Sequence, residues 1–584
     1  MIHPTTHPTI PRSRPDSIRP PMGSKHKKDA PKSLRAFLLI FVTASVTLLY
    51  LFKPQKLIFP SSLTQQLPSS PQEIATEQPK THSKFQLKHI YHHGSGKNYK
   101  IHRRLDITPE YLAKHEAYFQ HFTSVQSGTE QVSIDNLDSV VAQYDWPKHH
   151  QGKNPWTIEL PMKTAQRPAV RLKQRHDHDY IDSYLQYALS VKSNPQHINN
   201  VHLEWISEDI AVPDVEDRDT VVSLATISSN AYVRFPKDDD EKKNSDWVDV
   251  GEPWVPDDRN NNIEFGWGDD GLRGHIFVSE DNKTVVIGVK GTSGAGLPGS
   301  GSEETQANDK TNDNLLFSCC CARISYMWTT VCDCYEKTYT CNQDCLEKEL
   351  VRKDRYYQAV LDLYRNVTEI YPSESHDIWV TGHSLGGALA SLLGRTYGLP
   401  VVAYEAPGEM LATQRLHLPQ PPGLPKHAEN IWHFGNTADP IFMGVCNGAS
   451  SSCNLAGYAL ETACHTGRQC VYDVVTDKGW HVNLLNHRIH TVIDDIIMTY
   501  NETAPCADQP PCRDCFNWRF TSRDDSLDDE PPLPNPLRPG RPSTTSSSVH
   551  HTSTTTATET SRPQKCLKRT WYGWCVEWGD EQDA

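Results

Sequence analysis

The sequence predicts an α/β protein with a largely parallel sheet, and three of its features support that fold class. Short apolar runs, such as TVVIGVKG at residues 284–291, recur through the middle of the chain. Longer stretches with a period near 3.6 residues separate them, as at residues 346–371. Thirdly, residues 377–394, DIWVTGHSLGGALASLLG, join an apolar strand to a small-residue helix through a tight turn. Such alternation is typical of a sheet with helices on its faces.

The expected elements follow one another in a simple order. A helix at residues 223–233 precedes the strand at 284–291, and one long amphipathic helix is expected at 346–371. Further along the chain we expect a strand at 377–382, a helix that ends at Gly398, strands at 400–408, 430–436 and 469–475, and a final helix that begins near Ile489.

The N-terminal part of the chain has the pattern of a membrane anchor. Basic residues cluster before residue 36, directly ahead of an uncharged run, AFLLIFVTASVTLLYLF, at residues 36–52. That run is just long enough to span a bilayer, and the basic residues would keep the N-terminus in the cytosol. We therefore expect a membrane-anchored, single-pass protein. A cleavable signal peptide is the alternative, but no small-residue cleavage site directly follows the run.

Composition divides the 584 residues into five regions and excludes one class of partner. The regions are a cytosolic basic tail at 1–35, a transmembrane signal anchor at 36–52, a lumenal stem with the N-terminal part of the globular region at 53–215, the α/β core at 216–501 and a Cys-containing tail at 502–584. Residues 528–563 are rich in Ser, Thr and Pro, so we expect disorder there. The net charge of −14 argues against a nucleic-acid partner.

Cysteine usage agrees with a lumenal location for the core. All 16 cysteines lie at or beyond Cys319, which favours disulfides in an oxidising compartment. Zinc is the alternative for one group, but its spacing lacks paired C-x-x-C motifs; the group is Cys332, Cys334, Cys341 and Cys345. Cys566 and Cys575 are spaced to close a small disulfide loop at the C-terminus. Three N-x-S/T sequons are predicted glycosylation sites: Asn282, Asn366 and Asn501.

The turn around Ser384 carries the candidate chemistry. With Gly382 and Gly386 it makes G-x-S-x-G, a pattern that places a nucleophilic serine on a strand-to-helix turn. Side chains at both glycine positions would collide with the neighbouring strand and helix. A glycine-rich helix start without catalytic function is the alternative interpretation.

A serine needs a base and an orienting carboxylate, and both are expected downstream in the order Ser, Asp, His. Asp439 follows a predicted strand within a short polar turn, although an ordinary Asp-Pro turn would look the same. For the base we choose His487, at a junction between loop and helix, over His490 and His481. The chemistry needs neither a metal ion nor an organic cofactor, so we expect none.

The oxyanion of an acyl-transfer reaction needs hydrogen-bond donors near the serine. The backbone N–H of Leu385, directly after the nucleophile, is one candidate, and Thr292 is the second, through its N–H and its hydroxyl. A plain glycine-rich hairpin explains the Thr292 segment equally well. Beyond it, the Cys-rich stretch at 314–335 is either a stapled lid or membrane-contact element, or a miniature disulfide core. The apolar reach of the lid would come from Leu315, Leu316, Phe317, Tyr326, Met327 and Trp328.

Four of these segments together resemble the class 3 lipases, whose fold is that of the α/β-hydrolases. VVIGVKGTS is similar to their oxyanion strand, VTGHSLGGALASLL to their nucleophile turn, FGNTADPI to their acid loop, and SLATISSNAYV to the helix before their sheet. With CNLAGYALETACH and NHRIHTVIDDII, the resemblance extends to the autophagy-related vacuolar lipases of fungi and covers the chain from about residue 85 to 501.

The resemblance implies a triad of Ser384, Asp439 and His487 in a serine carboxylic ester hydrolase. It also implies membrane phospholipids as substrates and transport of an anchored precursor through the Golgi and multivesicular bodies to the vacuole, where autophagic and endosomal vesicles are broken down. Two other functions remain open on the residues alone. They are a peptidase or thioesterase of the same fold, and a membrane-tethered binding protein with an inactive hydrolase core.

Overall fold

A computed structural model of the protein describes residues 82–124, 146–191, 203–233, 246–250, 271–293, 303–322, 330–448, 450–522, 565–569 and 575–579. The predicted membrane anchor at 36–52 and the predicted disordered stretch at 528–563 lie outside these ranges. Within them, no helix has both the length and the apolar character needed to cross a bilayer.

Most strands in the described ranges belong to one mixed sheet. The strands are β1 (Ser83–His93), β2 (His102–Asp106), β3 (Glu159–Met162), β4 (Thr164–Leu172), β5 (Trp205–Pro213), β6 (Trp247–Asp249), β7 (Leu272–Ser279), β8 (Thr284–Val289), β9 (Tyr335–Lys337), β10 (Thr340–Asn342), β11 (Asp377–His383), β12 (Val401–Tyr404), β13 (Ile431–Asn436), β14 (Arg468–Tyr472), β15 (Cys506–Asp508), β16 (Arg519–Thr521), β17 (Lys565–Arg569) and β18 (Cys575–Gly579). The large sheet has the order β15-β14-β13-β12-β11-β8-β7-β1-β2-β6, and β3 pairs with the first part of β1.

Only the centre of this sheet is parallel. Strands β8, β11, β12, β13 and β14 pair in parallel with their neighbours. The flanks are antiparallel, because β7 pairs with β8 and with β1 in that sense, and β15 does so with β14. The short turn between β7 and β8 permits an antiparallel pair only, since a parallel pair needs a long crossover. The α/β class is confirmed, with a smaller parallel portion than the sequence suggests.

Helices cover both faces of the sheet. They are α1 (Pro109–Lys114), α2 (Glu116–Ser124), α3 (His178–Ser190), α4 (Arg218–Asn230), α5 (Glu303–Phe317), α6 (Gln343–Leu350), α7 (Tyr356–Ile370), α8 (Leu385–Tyr397), α9 (Met410–Arg415), α10 (Ser452–Ala456), α11 (Val474–Lys478) and α12 (Ile489–Thr491). A π-helical turn at Val492–Ile496 and a 3-10 turn at Ile497–Thr499 continue α12. Other 3-10 turns are Gly96–Asn98, Lys148–His150, Lys426–Ala428 and Leu484–His487.

Alternate residues of the central strands enter two separate cores. From β8, Val285 and Ile287 pack with α7 and α8 on one face, whereas Val286 packs with α4 on the other. Val380 and Trp379 of β11 divide in the same way between the two faces. Because both faces are covered, these strands are apolar at successive positions, which is why they could be predicted as continuous apolar runs.

The helix predicted at 346–371 is wrong as a single element. Helix α6 ends at Leu350 and α7 begins after Arg355, whose backbone is extended with φ −103° and ψ 156°. Asp354 forms ion pairs with Arg352 and Arg355 in the gap, at 2.9 and 3.2 Å. The apolar period continues on both sides of this polar turn, so periodicity alone did not reveal the break.

Strand pairing connects three of the predicted regions. Strand β1, in the region predicted as the stem with the N-terminal part of the globular region, pairs along its length with β7, in the predicted core. At the other end β15, in the predicted tail, pairs with β14, and Cys512 and Cys515 of the same tail are disulfide-bonded to the core. Strand pairing and disulfides therefore extend the core from residue 83 through residue 515.

Disulfides pair every cysteine whose side chain is described, so the zinc alternative is wrong. The pairs are Cys319–Cys515, Cys320–Cys341, Cys321–Cys332, Cys334–Cys345, Cys446–Cys453, Cys464–Cys512 and Cys470–Cys506. Several of these sulfurs form a small core with Leu346. Leu315, Leu316 and Phe317 are at most 2% exposed and pack in the main core, so they do not supply the apolar reach of the lid hypothesis. Its other apolar residues, Tyr326, Met327 and Trp328, lie outside the described residues.

The three sequons differ in exposure. Asn282 and Asn501 are exposed, the former in the turn between β7 and β8. Asn366 is only 7% exposed within α7, and its carbonyl accepts a hydrogen bond from Tyr91. A glycan has no room on that side chain, so the prediction at Asn366 is wrong, while those at Asn282 and Asn501 stay predictions.

The C-terminal hairpin is described by its backbone. Strands β17 and β18 pair antiparallel, with Cys566 across from Trp578 and Arg569 across from Cys575. The disulfide between Cys566 and Cys575 stays a prediction, because the side chains of this hairpin lie outside the description.

The longest disulfide loop should contribute most to stability. Cys319 and Cys515 are 196 residues apart, whereas Cys446 and Cys453 are 7 apart. Cross-linking distant residues removes more chain entropy from the unfolded state. Replacing the first pair with alanine should therefore lower the free energy of unfolding by about 2–3 kcal/mol more than replacing the second. Guanidinium denaturation of the two double variants measures this, and equal losses would contradict it.

Candidate active site

Ser384 lies at a strained turn between β11 and α8. Its backbone has φ 59° and ψ −132°, a conformation that non-glycine residues rarely adopt. The turn is crowded on both sides: a Cβ on Gly382 would lie 2.4 Å from the carbonyl oxygen of Gly386, and a Cβ on Gly386 would lie 2.3 Å from that of Val289. Both glycines of the motif are therefore required by close backbone packing, and the tight turn presents the serine at the carboxyl end of the parallel strands.

The structure brings the three predicted residues into one hydrogen-bonded chain. The Oγ atom of Ser384 lies 2.9 Å from Nε2 of His487, and Nδ1 of His487 lies 2.7 Å from Oδ2 of Asp439. Asp439 is fully buried, and its Oδ1 accepts the N–H of Ile441 at 2.8 Å. With Nδ1–H donated to the carboxylate, Nε2 is left as an acceptor for the Ser384 hydroxyl.

The choice among three histidines is decided by loop geometry. His487 ends the 3-10 turn Leu484–His487, whose approach is fixed by Asn483 N–H to the Ala438 carbonyl at 3.0 Å. His490 lies in α12, one turn further on, and His481 is exposed before the turn. The two loops that carry His487 and Asp439 are thus held together directly.

His383 and Tyr232 support His487, and the sequence analysis did not single out either. Nε2–H of His383 donates to the backbone carbonyl of His487 at 2.6 Å, while Nδ1 accepts from the Tyr232 hydroxyl at 2.8 Å. The rings of His383 and His487 lie 4.8 Å apart. Burial and then the charge of His487 lower the pKa of His383 to about 3, so it stays neutral. The sequence signal that could have identified His383 is its position in G-H-S-L-G, directly before Ser384.

The two predicted oxyanion donors differ in what the structure shows. Leu385 is the first residue of α8, so its N–H is among those without a partner inside the helix. Thr292 lies just beyond β8, and its hydroxyl donates to Oδ2 of Asp313 at 2.6 Å. The hydroxyl is therefore engaged with α5 rather than open to a ligand, which leaves the Thr292 N–H as the candidate donor.

Asp313 is a buried acid beside this candidate donor. Burial raises the pKa of Asp313 to about 8; the Thr292 hydrogen bond opposes that rise, and the charge of Asp309 adds to it. Asp309 accepts from the Ser293 N–H at 2.8 Å and from the Tyr356 hydroxyl at 2.6 Å. Helix α5 is thus tied through two carboxyl groups to the segment that follows β8.

Glu405 is a second residue that the sequence analysis did not identify. It follows β12 and is fully buried, and it is joined to Asp439 through Asn436, whose carbonyl accepts the Asp439 N–H at 3.2 Å. Asn436 donates to both of its oxygens, with Nδ2 to Oε1 at 2.8 Å and N–H to Oε2 at 3.2 Å. The same Nδ2 donates to the Asn486 carbonyl at 3.0 Å, next to His487. Glu405 therefore belongs to the polar network around the triad.

One other buried cluster has the side chains of a metal site. Glu409, His433 and His465 are fully buried and present potential ligand atoms within 4.8 Å of one another. Protein groups already bond to them: Thr466 donates twice to Glu409 Oε1, and His465 Nε2 lies 3.2 Å from the Phe442 carbonyl. His433 Nε2 and His465 Nδ1 lie 3.2 and 3.4 Å from the two carboxylate oxygens of Glu409, so we interpret the cluster as an internal polar network of the core.

Comparison with known proteins identifies the family. A class 3 lipase model matches residues 318–397, which include Ser384. A protein of Meyerozyma guilliermondii named "Putative lipase ATG15" is 93% identical over 566 residues, covering 96% of this chain and 100% of that protein. The protein of the same name from Candida albicans is 65% identical over 567 residues, covering 92% and 94%.

The chain belongs to the ATG15 lipase family.

As an ATG15-family protein it is a lipase, and its strand–turn–helix at Ser384 is that of an α/β-hydrolase. The class 3 lipase match ends before Asp439 and His487, so the assembly of these two with Ser384 is seen only in the structure. Lipase II from Rhizopus niveus is a structural neighbour at 14% identity and a TM-score of 0.20, over 37% of this chain and 74% of that one. The fold assignment rests on strand order and not on that weak likeness.

Asp313 should make the stability of this ATG15-family lipase depend on pH. Because the folded-state pKa is raised to about 8, the folded protein keeps a proton that the unfolded chain loses above its ordinary pKa of 3.8. Stability should then fall as pH rises from about 4 to 8. Asp313→Asn should make that fall shallower, as measured by melting temperature across this range.

The matched control for that experiment is Glu280→Gln, at an exposed acid. It should leave the pH dependence of the melting temperature unchanged. If Asp313→Asn gives the same slope as the wild type, the buried carboxyl is not the source of the effect.

Proposed function

We propose that Ser384, His487 and Asp439 are the catalytic triad of a serine carboxylic ester hydrolase, with acyl esters of membrane phospholipids as its substrates. The observation that carries this proposal is the continuous chain of hydrogen bonds from Ser384 Oγ to His487 at 2.9 Å and from His487 to Asp439 at 2.7 Å. Nucleophile, base and orienting acid are the parts that acyl transfer to serine requires.

The geometry supports a two-step reaction. Nε2 of His487 takes the proton of Ser384 as Oγ attacks the ester carbonyl carbon, and the N–H groups of Leu385 and Thr292 hold the oxyanion. The imidazolium then protonates the leaving alcohol oxygen, which leaves an acyl-enzyme. Water, deprotonated by His487, releases the fatty acid and restores Ser384. Asp439 keeps the imidazole in the required tautomer and stabilises its charge throughout.

Apolar side chains around the triad favour a lipid surface over a soluble substrate. Val482 and Leu485 are each 54% exposed and flank the turn that carries His487. Met443 and Val445, exposed at 39% and 55%, follow Asp439 on the loop to which that turn is hydrogen-bonded. Exposed apolar side chains on adjoining loops suit contact with a bilayer or with acyl chains.

The cellular part of the proposal rests on the sequence and on the family. The uncharged run at 36–52 would anchor the chain as a single-pass type II membrane protein, with the catalytic part lumenal. Passage through the Golgi and multivesicular bodies to the vacuole would bring it to autophagic and endosomal vesicles. The seven disulfides agree with folding in an oxidising compartment.

Replacing the nucleophile tests the triad. Ser384→Ala should lower phospholipid hydrolysis by roughly 10⁴-fold or more, because no other group can form the acyl-enzyme. It should also abolish covalent labelling by a fluorophosphonate. Ser391→Ala, at a buried serine of the same helix, is the matched control and should still be labelled. Full activity in the Ser384→Ala variant would refute the assignment, and no labelling of the wild type would favour an inactive binding protein.

Substitution of the exposed apolar residues tests the lipid substrate. Val482→Asp with Leu485→Asp should lower fatty-acid release from phospholipid vesicles roughly ten-fold, since each change removes apolar contact area and adds a charge at the bilayer surface. Hydrolysis of a soluble short-chain ester should change less than two-fold. Val248→Asp, on the far edge strand β6 and 46% exposed, is the control. An equal loss on both substrates would favour a thioesterase or peptidase function.

A further inference from the structure

Glu405 is placed between the nucleophile and the triad acid. The N–H of Ser384 donates to the carbonyl of Tyr404 at 2.9 Å, and the N–H of Glu405 donates to the carbonyl of Phe434 at 2.8 Å. Its side chain extends to Asp439, the residue that receives His487 Nδ1–H. The backbone of Glu405 is therefore next to Ser384, and its side chain is next to Asp439.

The backbone of Glu405 is held in a conformation that glycine would favour. Its φ is +45°, in the left-handed region, although the side chain is large and fully buried. Such a conformation is strained for a residue other than glycine and persists where the surroundings impose it, most often at functional sites. Here it accompanies a buried carboxyl group beside Asp439.

Two carboxyl groups in contact in a fully buried site cannot both be ionised at low cost. Asn436 supplies both donors that Glu405 receives, one to each oxygen. Asp439 in turn accepts from His487 and from the Ile441 N–H, which suits a carboxylate. A hydrogen bond between the two side chains needs one proton. Because Asp439 also accepts from His487, Asp439 is the ionised member of the pair and Glu405 carries the proton.

We propose that Glu405 is a positioning residue of the lipase reaction: as a neutral carboxylic acid it donates a hydrogen bond to the Asp439 carboxylate and fixes that carboxylate toward His487. The inference rests on the proposed catalytic triad. Asp439 then has three donors, from His487, Ile441 and Glu405, which together define the plane of its carboxylate. The network holds a single negative charge opposite the imidazole.

The direction of each pKa agrees with this arrangement. Burial, the charge of Asp439 and the hydrogen bond to it raise the pKa of Glu405 well above its ordinary value, against the opposing effect of Asn436. Burial also acts to raise the pKa of Asp439, but the charge and hydrogen bond of His487 and the hydrogen bonds from Glu405 and Ile441 together lower it. The titratable groups that face the pair are His487 and, across its ring, the neutral His383.

Loss of this donor should change the pH dependence of the reaction as well as its rate. Without Glu405, the charge of Asp439 is less dispersed, so it stabilises the imidazolium that forms in the reaction more strongly. The carboxylate is also freer to turn away from the imidazole. A residue that only filled space in the core would produce neither a shift in the pH profile nor a selective loss of kcat.

The experiment compares Glu405→Gln with Glu405→Leu in the full-length enzyme on a soluble ester. Glutamine can accept from Asn436 and donate to Asp439, so its kcat should stay within three-fold of the wild type. Leucine should lower kcat about ten-fold or more with KM unchanged, because a hydrogen bond to a charged group is lost. In that variant the acid limb of the kcat profile should move up by roughly half a pH unit. Rates are normalised to fluorophosphonate-titrated sites, which removes the contribution of unfolded protein.

A second measurement does not depend on the leucine variant folding. The infrared difference spectrum of wild type minus Glu405→Gln at neutral pH should contain a carboxylic-acid C=O band, in which the band of protonated Asp313 cancels because both proteins carry it. Glu461→Gln, at a buried acid that accepts the Cys319 N–H, is the control for both measurements and should leave kcat and its pH profile unchanged.

Two results would overturn the inference while leaving the triad intact. One is Glu405→Gln being as impaired as Glu405→Leu, which would indicate an ionised Glu405. The other is an unshifted acid limb in Glu405→Leu at normal kcat, or no infrared difference at Glu405. Failure of the triad itself would be recognised separately, through Ser384→Ala retaining activity.

Discussion

The close approach of the backbone at the Ser384 turn is the constraint on which the rest of the site depends. A Cβ on Gly386 would lie 2.3 Å from the Val289 carbonyl oxygen, so the end of β8 is in direct contact with the start of α8. That contact brings the Leu385 N–H and the Thr292 segment close to each other. Any side chain at Gly386 would separate the serine from its candidate oxyanion donors. The geometry of the site therefore depends on glycine at positions 382 and 386.

Burial gives the acids of this lipase their roles. Asp439, Glu405 and Asp313 are all nearly or fully buried, yet their pKa values differ in direction, because each has different partners. Asp439 accepts the Nδ1–H of His487 and stays ionised, whereas Glu405 faces Asp439, and Asp313 faces Asp309 and the Thr292 hydroxyl, so both keep a proton. The neutral His383 between Tyr232 and the His487 carbonyl extends the same network. The site is therefore stabilised by the protonation states of its buried acids and of His383 as well as by packing.

Local sequence patterns predicted the central strands of the sheet but not its flanking strands. The parallel strands and the Ser384 turn were predictable, because apolar runs and glycine spacing are local signals of buried strands and tight turns. The break between α6 and α7 was not, since a polar turn can interrupt two helices without disturbing their apolar period. Residues 53–215 were expected to contain the N-terminal part of the globular region, but their strands were not predicted, because β1 pairs with β7, nearly two hundred positions away, as well as with β2 and β3. The position of His487 at a junction between loop and helix favoured it over His490, but its bonds to Ser384 and Asp439 are seen only in the structure. Nothing in YEAPG indicates the polar contacts of Glu405.

The disulfide between Cys319 and Cys515 has a consequence for how the chain is made. Cys319 directly follows α5, the helix whose Asp313 holds the Thr292 hydroxyl, and its partner lies 196 residues later, beyond His487. This bond can therefore form during synthesis only after almost the whole core has emerged. A chain that ends before residue 515 contains the nucleophile but cannot make the bond. The covalent framework of the core is thus completed from its C-terminal end.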